Sequence, residues 1–189
     1  MRRGSVPRPV RAASASAGAA GRLPLAASLL LLSLGLLLPT ACRPTRLSEP
    51  VDLVLPRADD GKPFSFAARR GEATIVYFFS TWCVPCQAME PGLAEVARIG
   101  KAEGIEVVGV SLDREGRRTT APYVWGTKPP YPVVVGGGDI AAGDSPFGFI
   151  PEIPAVLILD GAGRPAASIS GVAGVELLLS RAREVKGRR

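Results

Sequence analysis

Apolar positions along the chain change period several times, and each change marks an element. Ala73 to Ser80 reads ATIVYFFS, an unbroken β-branched and aromatic run that predicts a strand buried on both faces. Beyond Pro85, the residues Leu93, Val96, Ala97 and Ile99 recur at helical spacing and stop before Gly100, which predicts a helix ending there. Arg114 to Tyr123 predicts a helix, Val133 to Val135 a short strand and Ala166 to Ser170 a closing strand. Val175 to Val185 predicts a final helix whose basic end suits its dipole. The stretch from Pro129 to Gly148 carries too many Pro and Gly residues for a long regular element. Within it, Phe147 and Phe149 admit two readings, an apolar rim for substrate or core aromatics over a sheet edge, and burial favours the second. Strand and helix alternate before two strands follow in succession. The expected fold class is therefore α/β, a mixed central β-sheet flanked by helices on both faces.

One apolar block has no place in that fold. Leu23 to Leu38, LPLAASLLLLSLGLLL, follows a Ser/Ala-rich stretch bearing arginines and precedes Pro39, Thr40, Ala41 and Cys42. A basic region, an apolar core and small residues at its end describe an export signal. The small residues before Cys42 resemble the cleavage box of bacterial lipoproteins, which implies removal of residues 1–41 and lipidation of Cys42. Pro39 departs from that pattern, standing where the family has Leu. Two other outcomes stay open: a soluble secreted product, or an uncleaved anchor whose 20 uncharged residues, Leu23 to Cys42, match the ~20 that span a bilayer. All three place the remainder outside the cytoplasm, in the periplasm and held at a membrane by lipid or by the N-terminal helix in the two anchored cases. Residues 42–50 then read as a tether, 51–185 as the folded domain and 186–189 as a basic tail.

Charge changes the picture little once it is located. The 189-residue chain has a formal charge of +6, but residues 1–41 hold five arginines and no acid, while Leu47 to Ser180 holds more acids than bases. No basic stripe interleaved with aromatics occurs in the middle, so no nucleic-acid partner is expected.

The chain has no histidine, which excludes Ser-His-Asp and Cys-His nucleophilic catalysis and His-bearing zinc sites. It has three cysteines; with Cys42 assigned to lipid, the other two form a C-x-x-C pair in Trp82-Cys83-Val84-Pro85-Cys86. Half of a zinc site would need two further Cys or His ligands that the chain lacks. A structural staple would close a very short loop, where cross-linking gains least. A copper carrier built on two sulfurs would ordinarily add His or Met, and only Met1 and Met89 exist. A redox pair has support from its flanks, because it sits where the strand ends and the helix begins. There Cys83 lies near unsatisfied N–H groups and the positive end of the helix dipole, a setting that lowers a thiol pKa from ~8.5 to roughly 3.5–7.5. Cys86, one turn inside, is better shielded and suited to resolve a mixed disulfide.

At these residues the sequence resembles the thioredoxin superfamily, and within it the TlpA/ResA branch of membrane-anchored extracytoplasmic thiol-disulfide oxidoreductases. The resemblance runs from about Val51 to Leu179. Asp60-Gly61-Lys62-Pro63 with Phe64 to Phe66 resembles the family's early hairpin, and Thr74 to Cys86 its strand and W-C-x-P-C core. Val107 to Asp113 resembles the second core strand, and Ile153 to Gly161 the segment carrying a cis-proline opposite the cysteines. The resemblance implies a redox-active Cys83–Cys86 disulfide with no metal or organic cofactor, supported by Trp82 and Pro85. It also implies that Ile153 presents its backbone to an extended substrate segment beside a cis Pro154, a bond that costs only ~0.5–1 kcal/mol in the cis form. Pro151 competes for that place, but Pro154 alone immediately precedes an apolar strand.

Two departures bear on proton transfer. Tyr77 stands where thioredoxins have a buried carboxylate, and Met89 where many TlpA-like proteins have Glu. Glu90, about 100° further round the helix, is the first acid–base candidate against a plain surface carboxylate, and Glu152 beside Pro154 is the second. The expected activity is disulfide exchange with exported proteins that carry disulfides or thiols. The residues themselves do not set the direction of electron flow; the resemblance implies a reductant, as in cytochrome c maturation, fed by a membrane electron donor. The alternatives are a peroxiredoxin-like peroxidase, for which Ser80 is suitably placed but Val76 stands where a Pro belongs, and a copper-delivery module on the same fold.

Overall fold

A strand of seven wholly buried residues, Ala73–Phe79, forms the middle of the molecule. The structure is a computed structural model and describes residues 49–186. The leader, Cys42 and most of the tether, together with residues 187–189 of the tail, lie outside the described residues. In chain order the elements are β1 (Val54–Pro56), β2 (Pro63–Ser65), β3 (Ala73–Phe79), α1 (Val84–Glu103), β4 (Ile105–Ser111), α2 (Arg117–Thr127), β5 (Val133–Val135), α3 (Gly137–Ala141), β6 (Ala155–Leu159), β7 (Pro165–Ser170) and α4 (Val175–Lys186). The five-stranded sheet runs β5-β4-β3-β6-β7, and β1 and β2 pair antiparallel in a separate hairpin. β3, β4 and β5 are parallel, whereas β6 runs antiparallel to β3 and β7 antiparallel to β6.

The alternation of strand side chains splits the core into two layers. Ile75, Tyr77 and Phe79 meet Met89, Leu93 and Val96 of α1 and Leu178, Leu179 and Ala182 of α4. Val76, Phe78, Val108 and Leu157 face the other way, against Phe64 and Phe66 of the hairpin region, Ile140 of α3 and Phe147. Helices thus lie on both faces, but the second is closed mostly by aromatics from loops. Phe147 makes edge-to-face contacts with Phe66 and Phe78 at centroid distances of 5.2 and 5.3 Å.

Three expected helix limits shift, the simplest being the end of α2, which runs to Thr127 and not to Tyr123. α1 does not stop before Gly100; it continues to Glu103 and ends on Gly104 in the left-handed conformation, φ 63°. Gly100 serves packing instead, since a Cβ there would lie 2.8 Å from the Ile105 carbonyl oxygen. α2 begins at Arg117, three residues later than expected, because Arg114 to Gly116 form a turn closed by the Gly116 N–H on the Asp113 carbonyl at 3.0 Å. Arg117 then donates to the carbonyls of Ala58 and Asp59, which fixes that end of the helix against the hairpin.

Candidate active site

β3 delivers the chain to a tight turn at one end of the sheet. The Cys83 N–H bonds the Ser80 carbonyl at 3.0 Å, so Thr81 and Trp82 are the central residues of that turn. Cys83 is the N-cap of α1, with Val84 and Pro85 opening the helix, where a fixed proline φ and a missing N–H cost nothing. Its sulfur accepts from the Cys86 N–H at 3.2 Å, taking up one of the donors that a helix start leaves without a partner.

Cys83 and Cys86 are joined in a disulfide with Cα atoms 5.2 Å apart. Both cysteines are buried, Cys86 at 0% exposure and Cys83 at 5%, but Trp82 and Val84 on either side of Cys83 are 72% and 71% exposed. Whatever meets this disulfide therefore meets Cys83 first, on a surface framed by an indole and a valine. The Tyr77 hydroxyl donates to the Cys86 carbonyl at 3.0 Å from inside the core, and burial pushes its ionisation far above the ordinary phenol range.

The sheet register brings the second expected group to the same end. Phe78 pairs with Ala155, so Pro154 lies one step further along, level with Phe79, the last residue of β3 before the cysteine turn. The Ile153–Pro154 bond is cis, Pro154 is buried and Ile153 half-buried, and the Pro154 carbonyl accepts from Gly171 at 2.8 Å. Pro151 and Glu152 are both exposed in the preceding loop. Phe147 and Phe149 part company: Phe147 is core at 2% exposure, while Phe149, 68% exposed, rims a groove of about 390 Å³. Ala155, Leu157, Ser168 and Ser170 also line that groove.

Glu90 is not a free surface carboxylate. It faces α2, where the Tyr123 hydroxyl donates to it. Burial raises its pKa above the usual 4.5, an effect that the Tyr123 hydrogen bond opposes. It borders a cleft of about 330 Å³ with Gln87, Lys128 and Tyr131. Its charge in turn contributes to the raised ionisation of Tyr77, Tyr123 and Tyr131, behind the larger effect of their burial. Met89, one position earlier, is buried in the core.

Asp113 enters the site although the sequence marked it only as the end of a strand. It is 1% exposed, and its carboxylate accepts from the Thr81 N–H at 3.1 and 3.2 Å, the Thr81 hydroxyl at 3.0 Å and the Ser111 hydroxyl at 2.7 Å. Among the described residues no group of three or more His, Cys, Asp or Glu side chains is arranged to hold a metal ion, and no helix is long and apolar enough to cross a membrane.

Comparison with known proteins fits this geometry. Residues 49–136 match the model of the AhpC/TSA family. Over 113 residues the chain is 26% identical to the thiol-disulfide oxidoreductase ResA of Bacillus thuringiensis subsp. konkukian, an alignment covering 59% of this chain and 62% of that protein. The chain therefore spans less than two thirds of that relative's length. Among solved structures, a thiol:disulfide interchange protein of the thioredoxin family from Chlorobium tepidum TLS superposes with a TM-score of 0.61 at 26% identity, covering 71% of this chain and 95% of that one. A secreted thiol-disulfide isomerase from Corynebacterium glutamicum shares the fold with a TM-score of 0.65 at 20% identity, covering 72% of this chain and 84% of that one.

Fold, register and relatives agree on a class: the chain has a thioredoxin-like fold and is similar to thiol-disulfide oxidoreductases. Its similarity is to ResA-type thiol-disulfide oxidoreductases and, over residues 49–136, to the AhpC/TSA family.

Proposed function

We propose that the protein is an extracytoplasmic thiol-disulfide oxidoreductase that reduces disulfides in exported proteins. One observation carries this reading: a disulfide placed at a helix N-terminus, with Cys86 wholly buried and Cys83, 5% exposed, set between the exposed Trp82 and Val84. In the reduced protein the Cys83 thiolate attacks one sulfur of a substrate disulfide. The substrate S–S bond breaks, one substrate thiolate leaves and a mixed disulfide forms. Cys86, deprotonated, then attacks the Cys83 sulfur and releases the second substrate thiol. Two electrons pass to the substrate, and the protein is left in the oxidised state seen here.

Ile153 lends its backbone to an extended substrate segment, Pro154 fills the space beside the sulfurs, and Trp82 and Pro85 shape the approach. Glu90 is the carboxyl that takes up the Cys86 proton, working next to Tyr77 and Tyr123. Glu152, exposed beside Pro154, is the second candidate for proton exchange. No cofactor is needed besides the Cys83–Cys86 pair. The export leader and Cys42 support a periplasmic, membrane-anchored lipoprotein, and the Corynebacterium relative is described as secreted. The resemblance to ResA favours exported apoproteins such as cytochrome c precursors as substrates and a membrane electron donor as the source of reducing equivalents.

Insulin reduction driven by a small dithiol tests the activity: the wild type turns over and Cys83→Ser does not. A Cys83→Ser protein with wild-type turnover would overturn the proposal. The AhpC/TSA match favours one second reading, a peroxidase. Against it, the position where such enzymes carry a proline is Val76, wholly buried in β3. Consumption of hydrogen peroxide by the reduced protein at a rate above its disulfide exchange would select that reading.

A further inference from the structure

We infer that Asp113 is a positioning residue for Cys83, acting through Thr81. The link follows from strand register. Phe79 pairs with Ser111 at the ends of the parallel strands β3 and β4, and the Leu112 N–H continues the ladder to the Phe79 carbonyl at 2.8 Å. Two residues further on, the same register sets Asp113 level with Thr81. A side chain 32 positions away in sequence thereby reaches the turn that carries the attacking sulfur.

Each polar group of Thr81 is occupied. Its N–H and hydroxyl donate to the Asp113 carboxylate, and its carbonyl accepts from Gln87 Nε2 at 2.8 Å. The turn is thus gripped on one side by the end of β4 and on the other by the first turns of α1. Asp113 is held in turn by the Ser111 hydroxyl, which contacts Thr120 Oγ1 at 2.8 Å, and Thr120 donates to the Gly116 carbonyl at 3.0 Å. A buried carboxylate survives only where its lone pairs are taken, and here three donor groups take them. What the network holds fixed is the two-residue span between Ser80 and Cys83, part of the short link from the end of β3 to the N-cap. If that span tilts, the Cys83 sulfur loses its alignment with the Cys86 N–H, and with it the stabilisation of a thiolate at the helix end.

The inference rests on the exchange reading above, and Thr81 separates position from charge. Thr81→Val removes the hydroxyl bond and leaves every charge in place, whereas Thr81→Ser keeps the hydroxyl. The measurements are the thiolate ultraviolet absorbance of the reduced protein against pH, and the rate at which Cys83 attacks a small aromatic disulfide at a pH where the thiol is fully ionised. Thr81→Val is expected to raise the Cys83 pKa and slow the attack about fivefold, the size of one lost hydrogen bond. Thr81→Ser recovers both values. Asp113→Asn is expected to slow the attack by about tenfold or more, in line with what misplacing a reacting group costs. Folded Thr81→Val with the wild-type profile and rate would overturn the inference, whether or not Asp113→Asn folds. Failure of the exchange reading itself would look different, since the wild type would then not react.

Discussion

The Tyr77 hydroxyl reaches from the buried strand β3 to the carbonyl of Cys86 at 3.0 Å, so the shielded half of the disulfide is tied to the sheet by a neutral group. Thioredoxins have a carboxylate at this position, and here a phenol stacked on Phe79 fills the space, with ring planes 3° apart. The proton-accepting role cannot be Tyr77's at ordinary pH, because burial holds its hydroxyl protonated.

Tyr77→Phe therefore separates structure from chemistry. It removes one neutral buried hydrogen bond and should cost about 1 kcal/mol of stability, read from a urea transition. Insulin reduction should stay within about twofold of wild type, since a factor of ten would correspond to 1.4 kcal/mol of transition-state stabilisation. A loss of activity far larger than the loss of stability would show that the phenol takes part in proton transfer.

Glu90 gives a pH signature. Its pKa is higher in the folded protein than in the unfolded chain, chiefly through burial, so the folded state holds more protons over the interval between the two values. Stability conferred by the protonated carboxyl is complete below the unfolded value near 4.5 and is lost as pH rises through the folded value. In Glu90→Gln that slope vanishes, and the amide carbonyl still accepts from Tyr123. Relative to wild type, Glu90→Gln should gain stability between pH 4 and pH 7, measured by paired denaturant titrations. A constant difference across that range would mean that the Glu90 pKa is the same folded and unfolded.

Gly100 is a packing requirement inside a helix. Alanine has the better helix propensity by ~1 kcal/mol, yet its Cβ would sit 2.8 Å from the Ile105 carbonyl oxygen and 3.1 Å from the Ile105 Cβ. Backbone cannot swing aside as a side-chain tip can, so the clash should outweigh the propensity gain. Gly100→Ala is expected to lose about 1–3 kcal/mol in a urea transition, whereas a stabilised variant would show that α1 and the start of β4 can separate.

These residues also mark how far the sequence could be read. The strand Ala73–Phe79 was legible because both its faces are buried, so its hydrophobic run has no polar gaps. The cysteine pair was legible because its chemistry is local to a strand-to-helix junction. Gly100 was misread as a stop because its role depends on Ile105 of the neighbouring strand, a contact that helical periodicity does not encode. The rotation of Glu90 away from the buried face of Met89 could be worked out on a helical wheel, but its partner Tyr123 belongs to another helix. Phe147 and Phe149 looked alike in sequence and differ because only Phe147 reaches Phe66 and Phe78. Asp113 was hidden for the same reason as Gly100: parallel register, and nothing in the local pattern, sets it against Thr81.

The claim that Cys83 attacks and Cys86 resolves is tested most directly by trapping. Reduced Cys86→Ser, mixed with an exported protein bearing a disulfide, should accumulate a covalent complex whose peptide map places the bond at Cys83. Reduced Cys83→Ser should trap little, because the remaining sulfur is wholly buried. Equal trapping by the two variants, or a bond mapped to Cys86 alone, would contradict the account.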